Sequence, residues 1–268
     1  MLFTSRQART ATRFAPKHNR QANAASILRC QYTSTLLTWM DGQMESQPAD
    51  GVNTVRSPSE AAWYRYGNMI QSTVSQQGLV AVRQGIKCYQ MDGLNDVITY
   101  SNLNTLGLVT QALTIVTLHQ ATNAVSGIMV ERTTNYTTST VGLGITVNTT
   151  GATAAIVGNV DTSSRTWATA QNVWKVGGYV LNKAAASGSE VLVYEDGTQI
   201  TSFTASSNAE NTNDFGTVQT YYYGARGTAG TTPMAGYLAD VMIFVRSMSA
   251  AEIAYVTQLV RWRAGFAV

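Results

Sequence analysis

Along most of the chain, hydrophobic residues come in short runs, alternating or wholly apolar, broken by Gly, Asn, Asp and Thr clusters. That period favours strands over helices. Leu36–Met40 is an apolar run ending at the turn dipeptide Asp41-Gly42, and residues 79–82 and 86–91 alternate as a hairpin. MDGLNDVITY (91–100) predicts a turn and then a strand, with Val97 and Thr99 facing opposite to Ile98 and Tyr100. Further strands are predicted over 112–118, 126–131, 141–147, 154–160, 174–181, 190–195, 199–203 and 218–223. Asp196-Gly197 supplies a hairpin turn between 191–194 and 199–203. Close strands with no helix between them predict an all-β, antiparallel β-sandwich.

The pattern changes once, at the C-terminal end. Leu238, Val241, Ile243 and Val245 predict a buried strand. Ser249 stands three residues before Glu252, the spacing of a capping box, and Ile253, Val256, Leu259 and Val260 then recur at helical spacing. Arg261 and Arg263 complement the helix C-terminus, and Gly265 supplies the stop. Asp240, beside the buried strand, is expected to accept donors, because an unpaired buried carboxylate is costly.

Composition supports the all-β reading. Only 12% of the 268 residues are charged, too few for many surface helices, whose solvent faces are usually rich in Glu and Lys. The net charge of +3 hides an asymmetry. Residues 1–40 carry Arg6, Arg9, Arg13, Lys17, Arg20 and Arg29 without an acid, so the remaining 12 cations face all 15 acids and residues 41–268 sum to −3. Residues 1–35 are therefore read as an extended basic N-terminal arm and 36–268 as one domain. The arm has the composition of a mitochondrial targeting segment, of a nucleic-acid-binding arm or of a partner-docking arm. Its few aromatics, Phe3 and Phe14, argue against base stacking, and docking on a partner protein is the reading adopted.

Cys30 and Cys88 lack metal-ligand spacing and are expected to be reduced, buried thiols. The sequence holds no apolar run of transmembrane length, and its N-terminus lacks the hydrophobic core of a secretory signal, so neither a membrane span nor signal-peptide export is expected.

A set of motifs now resembles one family. MDGLNDVITY, with Met91, Asp92, Gly93, Asp96 and Val97, resembles the opening strand of laminin-G-like, concanavalin A-like jelly-roll domains. LTIVTLH resembles their next strand. WKVGGYVLNKAAASGSEVLVYEDGTQI is similar to a later pair, through Trp174, Val176, Val180, Val193, Tyr194, Asp196 and Gly197. YYYGARGT and GYLADVMIFVRSMSAAEI complete the order, so the likeness covers about residues 88–264. It implies a concanavalin A-like jelly roll, with Trp174 in the core and the closing helix over the edge or rim of the sandwich.

Chemistry is sparse by comparison. Glycoside hydrolysis needs two carboxylates about 5–10 Å apart, but Glu195 and Asp196 are adjacent in a turn and Glu131 is alone on its strand. His18 lies in the arm, and His119 is expected at a strand end on the surface. No enzyme is expected. The resemblance raises calcium at the sandwich rim, with oxygens from Asp161, Asn211, Asn213 and Asp214, but these acids are not dense and no cofactor or metal is expected. Trp167, Tyr221 and Tyr223 are the candidate sugar-stacking residues, and Arg6, Arg9, Arg13, Lys17, Arg20 and Arg29 the candidate docking residues. Laminin-G-like domains mostly work outside cells, so a chain without an export signal suggests a virion protein, assembled in host cytoplasm. The expected partners are capsid or tail subunits, further copies of the chain and a host surface glycan. A free glycan-binding module and an organellar structural subunit are the alternatives.

Overall fold

The computed structural model describes residues 24, 26–28, 31–32, 36–41, 54–55, 69–70, 78–101, 110–122, 126–132, 142–157, 162–206, 215, 220–227 and 230–266. Two antiparallel sheets form a jelly-roll-like sandwich. The first runs, in spatial order, β14 (Thr198–Gln199), β13 (Val191–Glu195), β12 (Lys175–Asn182), β7 (Ala112–Ala121), β17 (Ala235–Phe244), β5 (Ile86–Asp92) and β4 (Leu79–Arg83). β1 (Leu36–Asp41) joins it by pairing with β17. The second sheet runs β15 (Thr204–Ser206), β11 (Thr162–Ala168), β10 (Gly151–Val157), β9 (Gly142–Val147), β8 (Gly127–Arg132), β16 (Thr220–Tyr223), β6 (Ile98–Ser101), β3 (Met69–Ile70) and β2 (Thr54–Val55).

β17 is the keystone of the first sheet. β7 pairs along one edge, while β5 takes residues 235–238 and β1 residues 240–244 of the other. Alternation sorts its side chains: Leu238, Val241 and Ile243 enter the core between the sheets, and Ala239, Met242 and Phe244 face outward. The inter-sheet core also takes Ile115, Val130, Ile145, Tyr179 and Val193. Each such side chain contributes about 1.5–3 kcal/mol of burial.

The outward face of the first sheet is covered as well. The helix α1 (Ala250–Ala264) lies on it, burying Ile253, Val256, Leu259 and Val260 against Val116, Val176, Val180 and Tyr194. The helix therefore covers a sheet face, where an edge or rim position was expected. Its capping box is present, Ser249 accepting from the Glu252 N–H while the Glu252 carboxylate accepts from the Ser249 N–H. Gly265 ends it at φ 87, a conformation that strains any residue with a Cβ. Ser249→Ala is expected to cost about 1 kcal/mol in urea unfolding.

A second covering element was not foreseen. Residues 24, 26–28 and 31–32 are helical, and Ala24, Leu28 and Tyr32 are buried at four-residue spacing. Leu28 and Tyr32 join the outer cluster, Tyr32 edge-on to Phe244 at 5.4 Å with the Arg246 guanidinium over its ring. This part of the supposed extended arm is packed on the domain, because its apolar residues match a helical stripe.

The strand predictions miss the two-residue strands β2 and β3 and differ from the structure in two larger places. β11 was missed because TSSRTWA alternates small polar residues rather than branched apolar ones. The strand expected over 199–203 is only β14, after which the chain crosses to pair with β11 as β15. Cys88 is a free, buried thiol pushed up to about 11 by burial; Cys30 lies outside the described residues.

Candidate functional site

Sequence-based site assignments meet three fates. Arg6, Arg9, Arg13, Lys17, Arg20 and Arg29 lie outside the described residues, as do His18, Asp161, Asn211, Asn213 and Asp214. Trp167, Tyr221 and Tyr223 do not face solvent: they are 4%, 2% and 0% exposed and belong to the inter-sheet core. The reason is the two-residue period, which sends Tyr221 and Tyr223 to the same inward face while Tyr222 packs outward with Val97 and Ala225. These three cannot stack on a sugar, and the expectation is corrected. Trp174 is buried as expected, but in the outer cluster beneath the helix.

The polar groups at the two ends of the sandwich serve the fold. At one end, Val241, Thr117, Gly177 and Glu195 are cross-strand neighbours, and Leu238, His119 and Lys175 form a second row two residues further along. Trp167 reaches over from the second sheet to donate to Glu195 Oε1 at 2.8 Å. Lys175 pairs with Glu195 and Asp196 at 3.4 and 3.7 Å. Asp196 holds α1 through Arg261 at 2.9 Å. His119 is buried, contrary to its expected surface position, with Nδ1 3.0 Å from Thr117 Oγ1. Desolvation holds its imidazole down at about 4, against the pull of Glu195 and Asp196. At the other end, Arg132 and Lys183 from opposite sheets both stand over the Phe215 ring, at 5.8 and 4.5 Å. Arg132 also donates to the Phe215 carbonyl. Glu131, fully buried, pairs with Arg226 at 3.2 Å.

A different arrangement lies on the outward face of the first sheet. Trp174 and Tyr237 come together with ring centroids 6.4 Å apart and planes at 47°. The Arg83 guanidinium stands 5.4 Å over the Tyr237 ring and donates to Gln120 Oε1 at 3.1 Å. Gln120 in turn donates to the Asn172 carbonyl at 2.6 Å, tying this face to the β11–β12 connection, residues 169–174. That connection holds Thr169 Oγ1, both amide atoms of Gln171 and Trp174 Nε1 buried without a hydrogen-bond partner. Each such group costs about 1–3 kcal/mol. Sequence reasoning missed this face because Tyr237, Gln120 and Trp174 meet only through long-range pairing, with no local motif to mark them.

Among the described residues, no three His, Cys, Asp or Glu side chains converge to hold a metal ion, and no helix is long and apolar enough to cross a membrane.

Known structures place the fold. The chain is similar to the botulinum neurotoxin type C protein whose cell entry depends on interaction with two ganglioside molecules, with a TM-score of 0.56 and 10% identity over 85% of this chain and 52% of that one. The binding domain of botulinum neurotoxin DC, in complex with rat synaptotagmin II, gives a TM-score of 0.53 at 9% identity, over 85% and 52%. A Trypanosoma rangeli sialidase in complex with a difluoro-nononic acid gives 0.56 at 10%, over 86% of this chain and 33% of the enzyme. The chain thus spans about half of the toxin chains it resembles. At this identity the likeness is one of fold: a β-sandwich. No family model matches the sequence, and no curated protein matches it.

Proposed function

We propose that the chain is a non-enzymatic, lectin-like adhesion module carried on a virion, as a capsid-decoration or tail-associated subunit. It displays its jelly roll towards a host surface glycan and docks on neighbouring subunits through the basic segment from Arg6 to Arg29. The observation that carries the adhesion reading is the shared fold, matched over more than four fifths of the chain to domains that engage gangliosides and a protein receptor. Engagement of the carboxylates supports a binding role over a catalytic one. Glu195, Asp196 and Asp240 are each spent on a cation, and Glu195 also receives an indole N–H, within the scaffold.

The virion part rests on the charge distribution. The acid-free segment precedes residues that are themselves anchored, since Leu28 and Tyr32 are packed against the sandwich. A basic tether fixed at its root suits an acidic neighbour in an assembly. Replacing Arg6, Arg9, Arg13, Lys17 and Arg20 together by Gln tests this in the full chain. The variant is expected to lose co-sedimentation with particles from its source while keeping its unfolding midpoint and any glycan binding. A wild-type chain that sediments as a discrete monomer, with no affinity for particles or for itself, overturns the virion reading.

A further inference from the structure

We propose that the helix-covered face of the first sheet is the side on which the chain meets an acidic neighbouring subunit, with Tyr32 positioning the basic segment there. This deepens the docking reading and rests on it. Chain length carries the argument. Leu28 and Tyr32 pack into the outer cluster on that face, and Ala24, fully buried, continues their stripe. Arg20 stands four residues before Ala24, and covalent geometry keeps it within about 14 Å of that anchor. The two sheets alone are about 10 Å apart, and a helical layer adds about 10 Å more. Four residues do not span that thickness, so Arg20 is confined to the helix side. The outward face of the second sheet is thereby turned away from the neighbour. It carries the row Thr146, Thr153, Thr166 and Thr204 across β9, β10, β11 and β15.

Tyr32 fixes the root of the segment. Its ring is edge-on to Phe244 at 5.4 Å, with the Arg246 guanidinium 5.6 Å over it. Arg246 is in turn bidentate to Glu252, at 2.6 and 3.1 Å, and Glu252 caps α1. The root is thus locked to the closing helix as well as to β17. Without that lock the next described anchor is Leu36 in β1, paired with Phe244 and sixteen residues from Arg20. The reach of Arg20 then grows to about 55 Å, enough to round the sandwich. A fourfold longer tether lowers the effective concentration of the segment at its site by about tenfold.

The test uses the full-length chain and particles from its source. Single cysteines are placed at exposed positions on the two faces, Gln258→Cys on α1 and Thr204→Cys on β15. Cys30→Ser removes one native thiol, and Cys88 is fully buried. Binding to particles is expected to protect position 258 from a maleimide and to leave position 204 reactive. Any other pattern in a chain that still binds overturns the face assignment and leaves the docking reading standing. Tyr32→Ala is expected to weaken particle binding about tenfold, and Tyr32→Phe to retain it. A twelve-residue Gly/Ser insertion between Asn23 and Ala24 leaves the packed stripe in place. It is expected to give the same loss at an unchanged urea midpoint, with the salt dependence of the wild type, since no charge is removed. Wild-type affinity in the insertion variant makes any effect of Tyr32→Ala one of folding and overturns the positioning role. If the wild-type chain binds no particle, the docking reading falls and this inference falls with it.

Discussion

Arg263→Met is expected to lower the free energy of unfolding by about 3–5 kcal/mol, a large part of the margin of an ordinary domain. Arg263 and Asp240 are 1% and 0% exposed, with Nη1 and Oδ1 2.5 Å apart. Removing the guanidinium leaves a carboxylate beneath the last turn of α1 without its main counter-charge. The double variant Arg263→Met/Asp240→Leu is expected to recover most of that loss, because the pair's own desolvation cost disappears with it. Urea titration of both variants gives the comparison. A double variant no more stable than the single one would show that the pair does more than cancel charge.

The second large effect concerns pH, where two buried groups oppose each other. His119 titrates near 4 in the fold against 6.5 unfolded. Its contribution is present above pH 6.5 and is lost as pH falls towards 4, about 3 kcal/mol in all. Asp96 runs the other way. Burial in the β5–β6 turn and the neighbouring Asp92 push it up to about 6 from 3.8, although it accepts the Asp92 N–H at 2.8 Å. Its contribution is present below pH 3.8 and is lost as pH rises through 6, again about 3 kcal/mol. The windows overlap, so the wild-type chain is expected to change little in stability between pH 6.5 and 4. His119→Gln is expected to become more stable on acidification through that range, and Asp96→Asn less stable. Glu252, held at about 2 by Arg246 and the cap, contributes stability that is present above pH 4.5 and is lost as pH falls from there towards 2, so it enters only at the acid end of this window, and its partial exposure screens it. Unfolding titrations at pH 7, 5 and 4 decide the matter; parallel slopes in all three proteins would refute it.

Much of the fold was legible because local signals agreed with the tertiary result. Ser249, Glu252 and Gly265 fix the helix ends by chemistry within a few residues. Asp196-Gly197 makes its turn with φ 50 and 85, both positive as the sequence pair implies. The site was less legible, for a physical reason. Single-residue inspection picks out aromatics, but strand alternation decides which of them face inward, and Trp167, Tyr221 and Tyr223 all do. Trp174 reads as core and is largely buried, yet it lies on the outward face because α1 gives that face a second apolar layer. Unpaired atoms such as those of Gln171 leave no trace in a sequence, since they are defined by partners that are missing in space.

The shared edge of β17 also sets the order in which a nascent chain can complete itself. Strands β5 and β4 can form a hairpin early, and β7, β12, β13 and β14 can assemble while synthesis continues. Neither group pairs with the other until residues 235–244 arrive between them, and β1, made before either group, waits for those same residues. Such long-range pairing slows folding and leaves open strand edges for most of translation. Termination before residue 235 would therefore release two half-sheets with exposed edges, joined by the chain but not by a ladder.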